Sequence, residues 1–353
     1  MPVAGKYSNT GTRLLWSRWV LTVFARVLFW LLLLVFAGWG SLAIYYSNLP
    51  ALIRPAAGIL FGLGSVGVLL LVRPWRRAVA VFFAGFALVL LWWLAIPPSN
   101  VRDWQPDVAV LPYATINGDT VTIHNIRNCD YRSETDYIVR HYDKTFNLAT
   151  LRNVDLFLVY WGSPNIAHTV FSFGFEGDDY VCFSIETRKS RGEVYSAIKG
   201  FFKQYELTYV VADERDVVRL RTNYRNEDVY LYRLKTSLKR AKMVFLDYLR
   251  QVNRLKDHPE WYNALTSNCT TNIRGHTAPY NPDAKLDWRI LINGYVDEFV
   301  YEQGILDQSL PFPELKANSH INAIGRAADQ DPGFSQRIRE GLPSPKKPVN
   351  SVQ

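Results

Sequence analysis

Acidic residues are missing from the first hundred positions, which hold eight lysines and arginines and no aspartate or glutamate. Cysteine is also scarce, with three in 353 residues, which excludes the disulfide-dense scaffold of many small secreted domains. The six histidines show no HExxH or other spacing of metal ligands. We therefore expect no metal and no cofactor.

Long apolar runs occupy this acid-free region. They cover residues 27–46, 55–72 and 78–96, and each has about the 20 residues that a helix needs to cross the hydrocarbon core of a bilayer. The first run is long and rich in tryptophan, and a poor cleavage site follows it, so a signal peptide is disfavoured. The sequence predicts a membrane anchor of three transmembrane helices in residues 1–99.

The basic residues of the anchor predict its orientation. They cluster before the first run and between the second and third, at Lys6, Arg13, Arg18, Arg26, Arg73, Arg76 and Arg77. Because basic loops stay in the cytoplasm, the N-terminus is predicted to be cytoplasmic and the region after residue 100 to lie outside. The 40 basic residues of the chain less those eight of the anchor leave 32, equal to the 32 acidic residues. The net charge of +8 therefore reflects topology, and no nucleic-acid partner is predicted.

A glycine-rich string in the second run, "GLGSVG", matches a dinucleotide-binding fingerprint as text. No strand precedes it and it lies inside an apolar helix, which argues against cofactor binding. Gly58 and Gly62 instead form a small-xxx-small pair that allows close helix approach.

Residues 100–327 have the composition of an ordinary globular domain, and 328–353 read as a polar, disordered tail. Strands are predicted first, among them a hairpin around Asn117-Gly118. Helices follow, near 192–204, over about 237–255 with one apolar stripe, and near Trp288. Strands followed by helices indicate an α+β domain.

The second hairpin, "AHTVFSFGF" and "YVCFSIETR", has one apolar and one polar face because strand side chains alternate. The polar face holds His168, Ser172, Cys182, Ser184 and Glu186. If the apolar faces coincide across a turn at residues 176–178, His168 lies opposite Glu186. A carboxylate beside an imidazole can orient it and favour its charged form.

Cys269 lies in "TSNCTTNIRG", where Asn268 or Ser267 is a good N-cap and Gly275 ends a short helix. A thiol at a helix N-terminus has its thiolate stabilised by free N–H groups. With His168 and Glu186 it would complete the Cys–His–polar set of an acyl-transferring nucleophile. A structural cysteine with an unrelated, satisfied histidine is the alternative, and both interpretations stay open on these residues.

The runs "VDLFLVYWGSPNIAHTVFSFGF", "SIETRKSRGEVYSAIKG" with the "YVVADERDVVRLRTN" that follows it, and "SNCTTNI" resemble the Lnb N-terminal periplasmic domain family of bacterial envelope proteins. The resemblance covers about residues 120–305. It implies a circularly permuted, NlpC-type papain-like fold, in which the His-bearing sheet precedes the Cys-bearing helix. The lecithin retinol acyltransferase group shares this order. The family's namesake is a lipoprotein N-acyltransferase, but this chain differs in carrying its own three N-terminal spans.

The resemblance implies Cys269 as nucleophile, His168 as base and Glu186 as third member. Asn268, Ser184 and Trp161 are further candidates for contact with the substrate or its oxyanion. The expected protein is a bacterial inner-membrane thiol acyltransferase or hydrolase whose domain faces the periplasm and whose partner is a phospholipid or lipoprotein. A cell-wall peptidase or amidase of NlpC type and a non-catalytic envelope scaffold are the alternatives. A groove lined with leucine and phenylalanine would favour lipid, a polar cleft peptide, and a blocked Cys269 the scaffold.

Two further features have alternative interpretations. The arginines of "DERDVVRLR" can bind a phosphate headgroup or form an internal ion-pair cluster, and the cluster is the stronger expectation. Cys129 and Cys182 can form a disulfide in an oxidising compartment, or Cys182 can simply line the site.

Overall fold

Three apolar helices make up the first unit of the chain, which ends at Pro97. In the computed structural model, which describes residues 10–281 and 287–343, they are α1 (Thr10–Tyr45), α2 (Arg54–Leu71) and α3 (Trp75–Ala95). Each is long and apolar enough to cross a membrane.

Close packing of α1 on α2 depends on two glycines. A Cβ atom at Gly58 would lie 2.9 Å from the Ser41 carbonyl oxygen, and one at Gly62 would lie 2.8 Å from Ser41 Oγ. These separations are too short for a side chain, so the small residues set the helix spacing. The prediction for this pair is confirmed.

An eight-stranded sheet forms the centre of the second unit, which begins at Pro98. The strands are β1 (Tyr113–Asn117), β2 (Thr120–Arg127), β5 (His141–Asn147), β6 (Leu151–Tyr160), β7 (Ala167–Phe175), β8 (Asp179–Arg188), β9 (Glu206–Ala212) and β10 (Asp228–Arg233). Their order is β1-β2-β9-β8-β7-β6-β10, with β5 also paired to β2. The short strands β3 (Asp130–Tyr131) and β4 (Tyr137–Ile138) pair separately.

The β7–β8 hairpin has the predicted register. Phe171 lies opposite Phe183 and Val170 opposite Ser184. The turn includes Gly177 and Asp178, both with positive φ. The odd-numbered positions therefore share one face of the sheet and the even-numbered positions share the other.

The odd-numbered face packs against two helices, α6 (Leu238–Asp257) and α7 (Cys269–Thr277). Phe173 and Phe183 contact Phe245 of α6 through edge-to-face rings, which is a favourable aromatic geometry. Cys269 and Ile273 of α7 belong to this core. We call this side the α7 face.

The even-numbered face is covered by α5 (Glu214–Arg219), a π-helical turn (Leu220–Tyr224), α10 (Asn322–Ala327) and α11 (Phe334–Arg337). Val170 and Cys182 pack there with Val217 of α5 and with Phe334 and Ile338. We call this side the α5 face.

The prediction of a disordered tail from residue 328 is wrong for its described part, 328–343. Phe334 and Ile338 are fully buried in the core of the α5 face. Arg339 is paired with buried carboxylates of the sheet and of α5. Apolar burial and ion pairing together fix this segment, and residues 344–353 lie outside the described part.

The remaining helices are α4 (Ala197–Gly200), α8 (Val296–Glu302) and α9 (Phe312–Asn318). The helix predicted over 192–204 is reduced to the single turn of α4, while α6 lies close to its predicted range and has Ser237 as its N-cap. The chain is a mixed helix and sheet protein with three apolar helices before a sheet-containing domain, as predicted.

Candidate functional site

Cys269 is the first residue of α7, and Asn268 is the N-cap. The Asn268 side-chain oxygen accepts from the Thr271 N–H at 2.9 Å, and Thr271 Oγ1 accepts from the Asn268 N–H at 2.9 Å. This capping box fixes the start of the helix. Helix geometry leaves the N–H groups of Cys269 and Thr270 without an intrahelical partner, so both can donate to a negative charge at this end.

Asn293 is a polar neighbour of the Cys269 thiol, as is Thr270, whose Oγ1 lies 3.8 Å from the sulfur. Its Nδ2 lies 3.7 Å from Cys269 Sγ and donates to Thr270 Oγ1 at 2.7 Å. Its Oδ1 accepts from the backbone N–H of Ala167, the first residue of β7, at 2.9 Å. One buried amide thus joins the start of α7 to the start of β7.

Gly294 explains how Asn293 reaches this position. The Gly294 N–H donates to the Asn165 carbonyl at 3.0 Å, and a Cβ atom at residue 294 would collide with the Pro164 carbonyl oxygen. Only glycine allows so close an approach of the two backbones. The Asn-Gly dipeptide is a local signal for this residue, but Asn293 was not among the predicted site residues.

A cavity of about 200 Å³ lies beside Thr270, between α7 and the sheet. Its walls are mainly apolar and include Leu156, Phe171, Val244, Ile273, Val296 and Phe299. Lys235, Arg240 and Arg274 also line it, and no aspartate or glutamate does so in the described ranges. An apolar volume with only basic charges around it suits an apolar chain that carries an anionic or strongly polar head.

His168 lies on the α5 face with Glu186, and Ser184 bridges the two. His168 Nε2 is 2.6 Å from Ser184 Oγ, which donates to Glu186 Oε1 at 2.6 Å. Arg221 of the π-helical turn donates to the same carboxylate oxygen at 2.9 Å. The face parity predicted for His168, Ser184 and Glu186 is therefore what the structure has.

The charge states of this cluster follow from burial and from Arg221. Burial lowers the pKa of His168 to about 3, and Arg221 adds to the effect while Glu186 opposes it. Burial would raise the pKa of Glu186, but Arg221 and then His168 hold it well below its usual range. Because Ser184 donates its hydroxyl hydrogen bond to Glu186, its oxygen accepts a hydrogen bond from His168. The neutral imidazole must therefore carry its proton on Nε2, which leaves Nδ1 as the acceptor.

His168 contacts Ser184 on the α5 face, whereas Cys269 belongs to the core of the α7 face. Ala167, whose N–H holds Asn293, belongs to the core of the α7 face with Cys269. The next side chain, His168, alternates to the α5 face. The direct action of His168 on Cys269, with Glu186 as the third member, stays a prediction.

The other predicted site residues are divided between these places. Asn268 caps the Cys269 helix, and Ser184 belongs to the His168 cluster. Trp161 follows β6 in a loop and is 44% exposed. His276, on α7 itself, bonds through one ring nitrogen to Tyr209 and through the other to Asp247, which gives it a structural role.

The arginines of "DERDVVRLR" form an internal ion-pair cluster. Arg219 pairs with Asp329 at 2.8 Å and Arg221 with Glu186 at 2.9 Å. Asp216 of the same motif pairs with Arg127 at 2.7 Å. These contacts favour the internal cluster over headgroup binding.

The three cysteines are free and buried. Burial raises the pKa of Cys129 to about 12 and that of Cys182 well above its usual range. No disulfide joins them in this structure, and both thiols are expected to be poor nucleophiles.

Searches of curated proteins and of solved structures found no match to the chain. Residues 139–294, however, match the family model of the Lnb N-terminal periplasmic domain. The matched range includes Cys269, Asn293 and the His168 cluster. After three helices that are long and apolar enough to cross a membrane, the chain thus carries a region that matches the Lnb N-terminal periplasmic domain.

Proposed function

We propose that this protein is an envelope enzyme that takes an acyl chain from a lipid onto Cys269. The observation that carries the proposal is the apolar cavity beside Thr270, next to a cysteine at the start of a capped helix. The cavity can hold the chain while Lys235, Arg240 and Arg274 attract a phosphate or carboxylate head.

The chemistry follows from the groups around the thiol. The thiolate of Cys269 attacks the ester carbonyl carbon, a C–S bond forms, and the N–H groups of Cys269 and Thr270 donate to the resulting oxyanion. Water accepts the proton of the thiol before the attack. When the intermediate collapses, the C–O bond breaks and water returns a proton to the leaving alkoxide. A thioester remains, which an amine (transfer) or water (hydrolysis) then cleaves.

His168 has a positioning role in this proposal. The His168–Ser184–Glu186–Arg221 chain fixes the start of β7 from the α5 face. The neighbouring Ala167 N–H in turn holds Asn293 beside the thiol. The imidazole therefore acts through the backbone of β7 and not on the sulfur.

The test uses the full chain in phospholipid nanodiscs with a phosphatidylethanolamine that bears an alkyne-tagged acyl chain. We expect a label that neutral hydroxylamine removes, since it cleaves thioesters, and that peptide mapping assigns to Cys269. A hydroxylamine-resistant label, or one assigned to another residue, would contradict the proposal.

The two alternatives are a cell-wall peptidase or amidase and a non-catalytic scaffold, and neither predicts an acyl label on Cys269. The apolar lining of the cavity argues against a cell-wall peptide substrate. Cys269 is only 8% exposed, which favours the non-catalytic scaffold. Lipid that copurifies with the protein and never labels Cys269 would support that scaffold as a lipid-binding protein.

We also propose that the N-terminus is cytoplasmic and the second unit periplasmic, from the arginines that flank the apolar helices. Alkaline phosphatase, which is active only in the periplasm, should be active when fused after Ser99 and inactive when fused after Arg76. The reverse pattern would overturn the orientation, whatever the outcome at Cys269.

A further inference from the structure

The connection between β8 and β9 combines basic charge with exposed apolar side chains. We call residues 189–203 the basic loop. It contains four basic residues, Lys189, Arg191, Lys199 and Lys203, and one acidic residue, Glu193. Its apolar residues Val194, Tyr195, Ile198 and Phe201 are 76%, 43%, 55% and 41% exposed. These four side chains face outward and are not buried in the hydrophobic core of the domain.

The basic loop is held in place by hydrogen bonds and an ion pair that are partly buried. The Tyr205 hydroxyl donates to the Val194 carbonyl at 2.8 Å and accepts from the Ser196 N–H at 3.0 Å. Glu193 accepts from the Ser190 N–H at 2.7 Å and pairs with Arg102 at 3.3 Å. Arg191 is likewise paired, with Asp103 at 3.0 Å. The net basic charge around the exposed apolar residues therefore rests mainly on the lysines of the loop, among them Lys189 and Lys199.

The basic loop packs on the segment that leads to Cys269. The Gly200 carbonyl accepts from the Ala264 N–H at 3.2 Å, and Leu265 beside it is 53% exposed. The Ala264 carbonyl in turn accepts from Asn268 Nδ2 at 2.9 Å. The apolar surface of the loop thus continues to within four residues of the thiol.

We propose that the basic loop and Leu265 insert into the interface of a phospholipid bilayer that contains anionic lipid. Aromatic and aliphatic residues among lysines and arginines are the composition of segments that lie in the headgroup region. Basic charges add attraction to anionic headgroups. The bilayer in question is the one that the apolar helices would cross. Only two residues separate the third of these helices, which ends at Ala95, from Pro98 of the second unit.

The experiment places a fluorophore at a single exposed position of the full chain in nanodiscs of phosphatidylcholine and phosphatidylglycerol. Ile198→Cys reports on the basic loop, and Ile138→Cys, which replaces an isoleucine of similar exposure (45%) on β4, is the matched control. Both are made in a Cys269→Ser background, so that docking is measured without any acyl chemistry and its failure is separate from failure of the proposed enzyme.

Phospholipids with a doxyl quencher near the headgroup should quench the label at 198 at least about threefold more than the label at 138, as interfacial insertion requires. The difference should fall when Lys189→Glu and Lys199→Glu are added or phosphatidylglycerol is left out. Equal quenching at the two positions would overturn the proposal. A signal at 198 that disappears when each disc holds one copy would assign the surface to a second copy of the chain, and would overturn it as well.

Discussion

Replacing Cys269 with serine should lower the rate of acyl labelling by more than about a thousandfold, the scale seen when a covalent nucleophile is removed. Serine preserves the side-chain volume and the capping box, but its hydroxyl does not ionise near neutral pH. The domain should therefore remain folded while the thioester can no longer form. The measurements are the initial labelling rate and the thermal unfolding of the same sample.

His168→Gln is the comparison that distinguishes the two roles for the histidine. Because the imidazole lies on the α5 face, this variant should keep the labelling rate within about tenfold, as for loss of a positioning group. A loss as large as that of Cys269→Ser would mean that His168 acts on the thiol, as the family resemblance implied. A Cys269→Ser variant that labels at the parent's rate would rule out the enzyme and leave the scaffold.

Replacing Arg339 with alanine should lower the free energy of unfolding of the second unit by about 3–5 kcal/mol, the cost of leaving buried charges unpaired. The Arg339 guanidinium donates to both carboxylate oxygens of Glu214, at 2.6 and 2.7 Å. It also donates to Asp155 at 2.8 Å. Asp155 keeps Arg233 as a partner at 2.9 Å, but Glu214 is 0% exposed, so water cannot replace its lost cation without opening the core of the α5 face.

Arg337→Ala is the matched control for Arg339→Ala. Arg337 pairs with Glu340 at 2.9 Å on the surface, where its side chain is 49% exposed, and such pairs contribute about 1 kcal/mol or less. In detergent-solubilised full chain, the unfolding temperature followed by tryptophan fluorescence should fall by about 6–20 °C for Arg339→Ala. The control should change little, and equal shifts in the two variants would show that the buried pairing is not what holds the segment.

The β7–β8 hairpin shows how much the sequence could predict. Alternation of apolar residues fixed the register, because a slip by one residue would have turned Phe171 and Phe183 away from the core. The same rule placed His168, Ser184 and Glu186 together on one face. These predictions follow from the two-residue period of a strand, so the amino-acid sequence alone is enough to make them.

The helices that cover each face of the sheet could not be predicted from this alternation. The polar face of the hairpin was interpreted as the side of the thiol, yet α7 packs on the apolar side and the arginines of α5 and the π-helical turn meet the polar one. Which helix covers which face depends on contacts between distant segments, and alternation along a strand does not specify them.

Asn293 and the segment from residue 328 were missed for a related reason. Asn293 acts through its contacts with Ala167 and Thr270, both more than twenty residues away. The segment around Phe334 is polar in composition and forms only the single turn of α11. Its order comes from two buried apolar side chains and from the charges that Arg339 meets, none of which is a property of the segment alone.

The pairing of Arg339 with Asp155 also constrains how the protein is made. The two residues are 184 positions apart, and at about 5–20 residues per second a ribosome adds the arginine roughly ten to forty seconds after the aspartate. Arg233 of β10, which pairs with Asp155 at 2.9 Å, is made earlier, but the cation that Asp155 shares with Glu214 arrives only with residue 339. The core of the α5 face is therefore the last part of the second unit that can be completed as the chain is made.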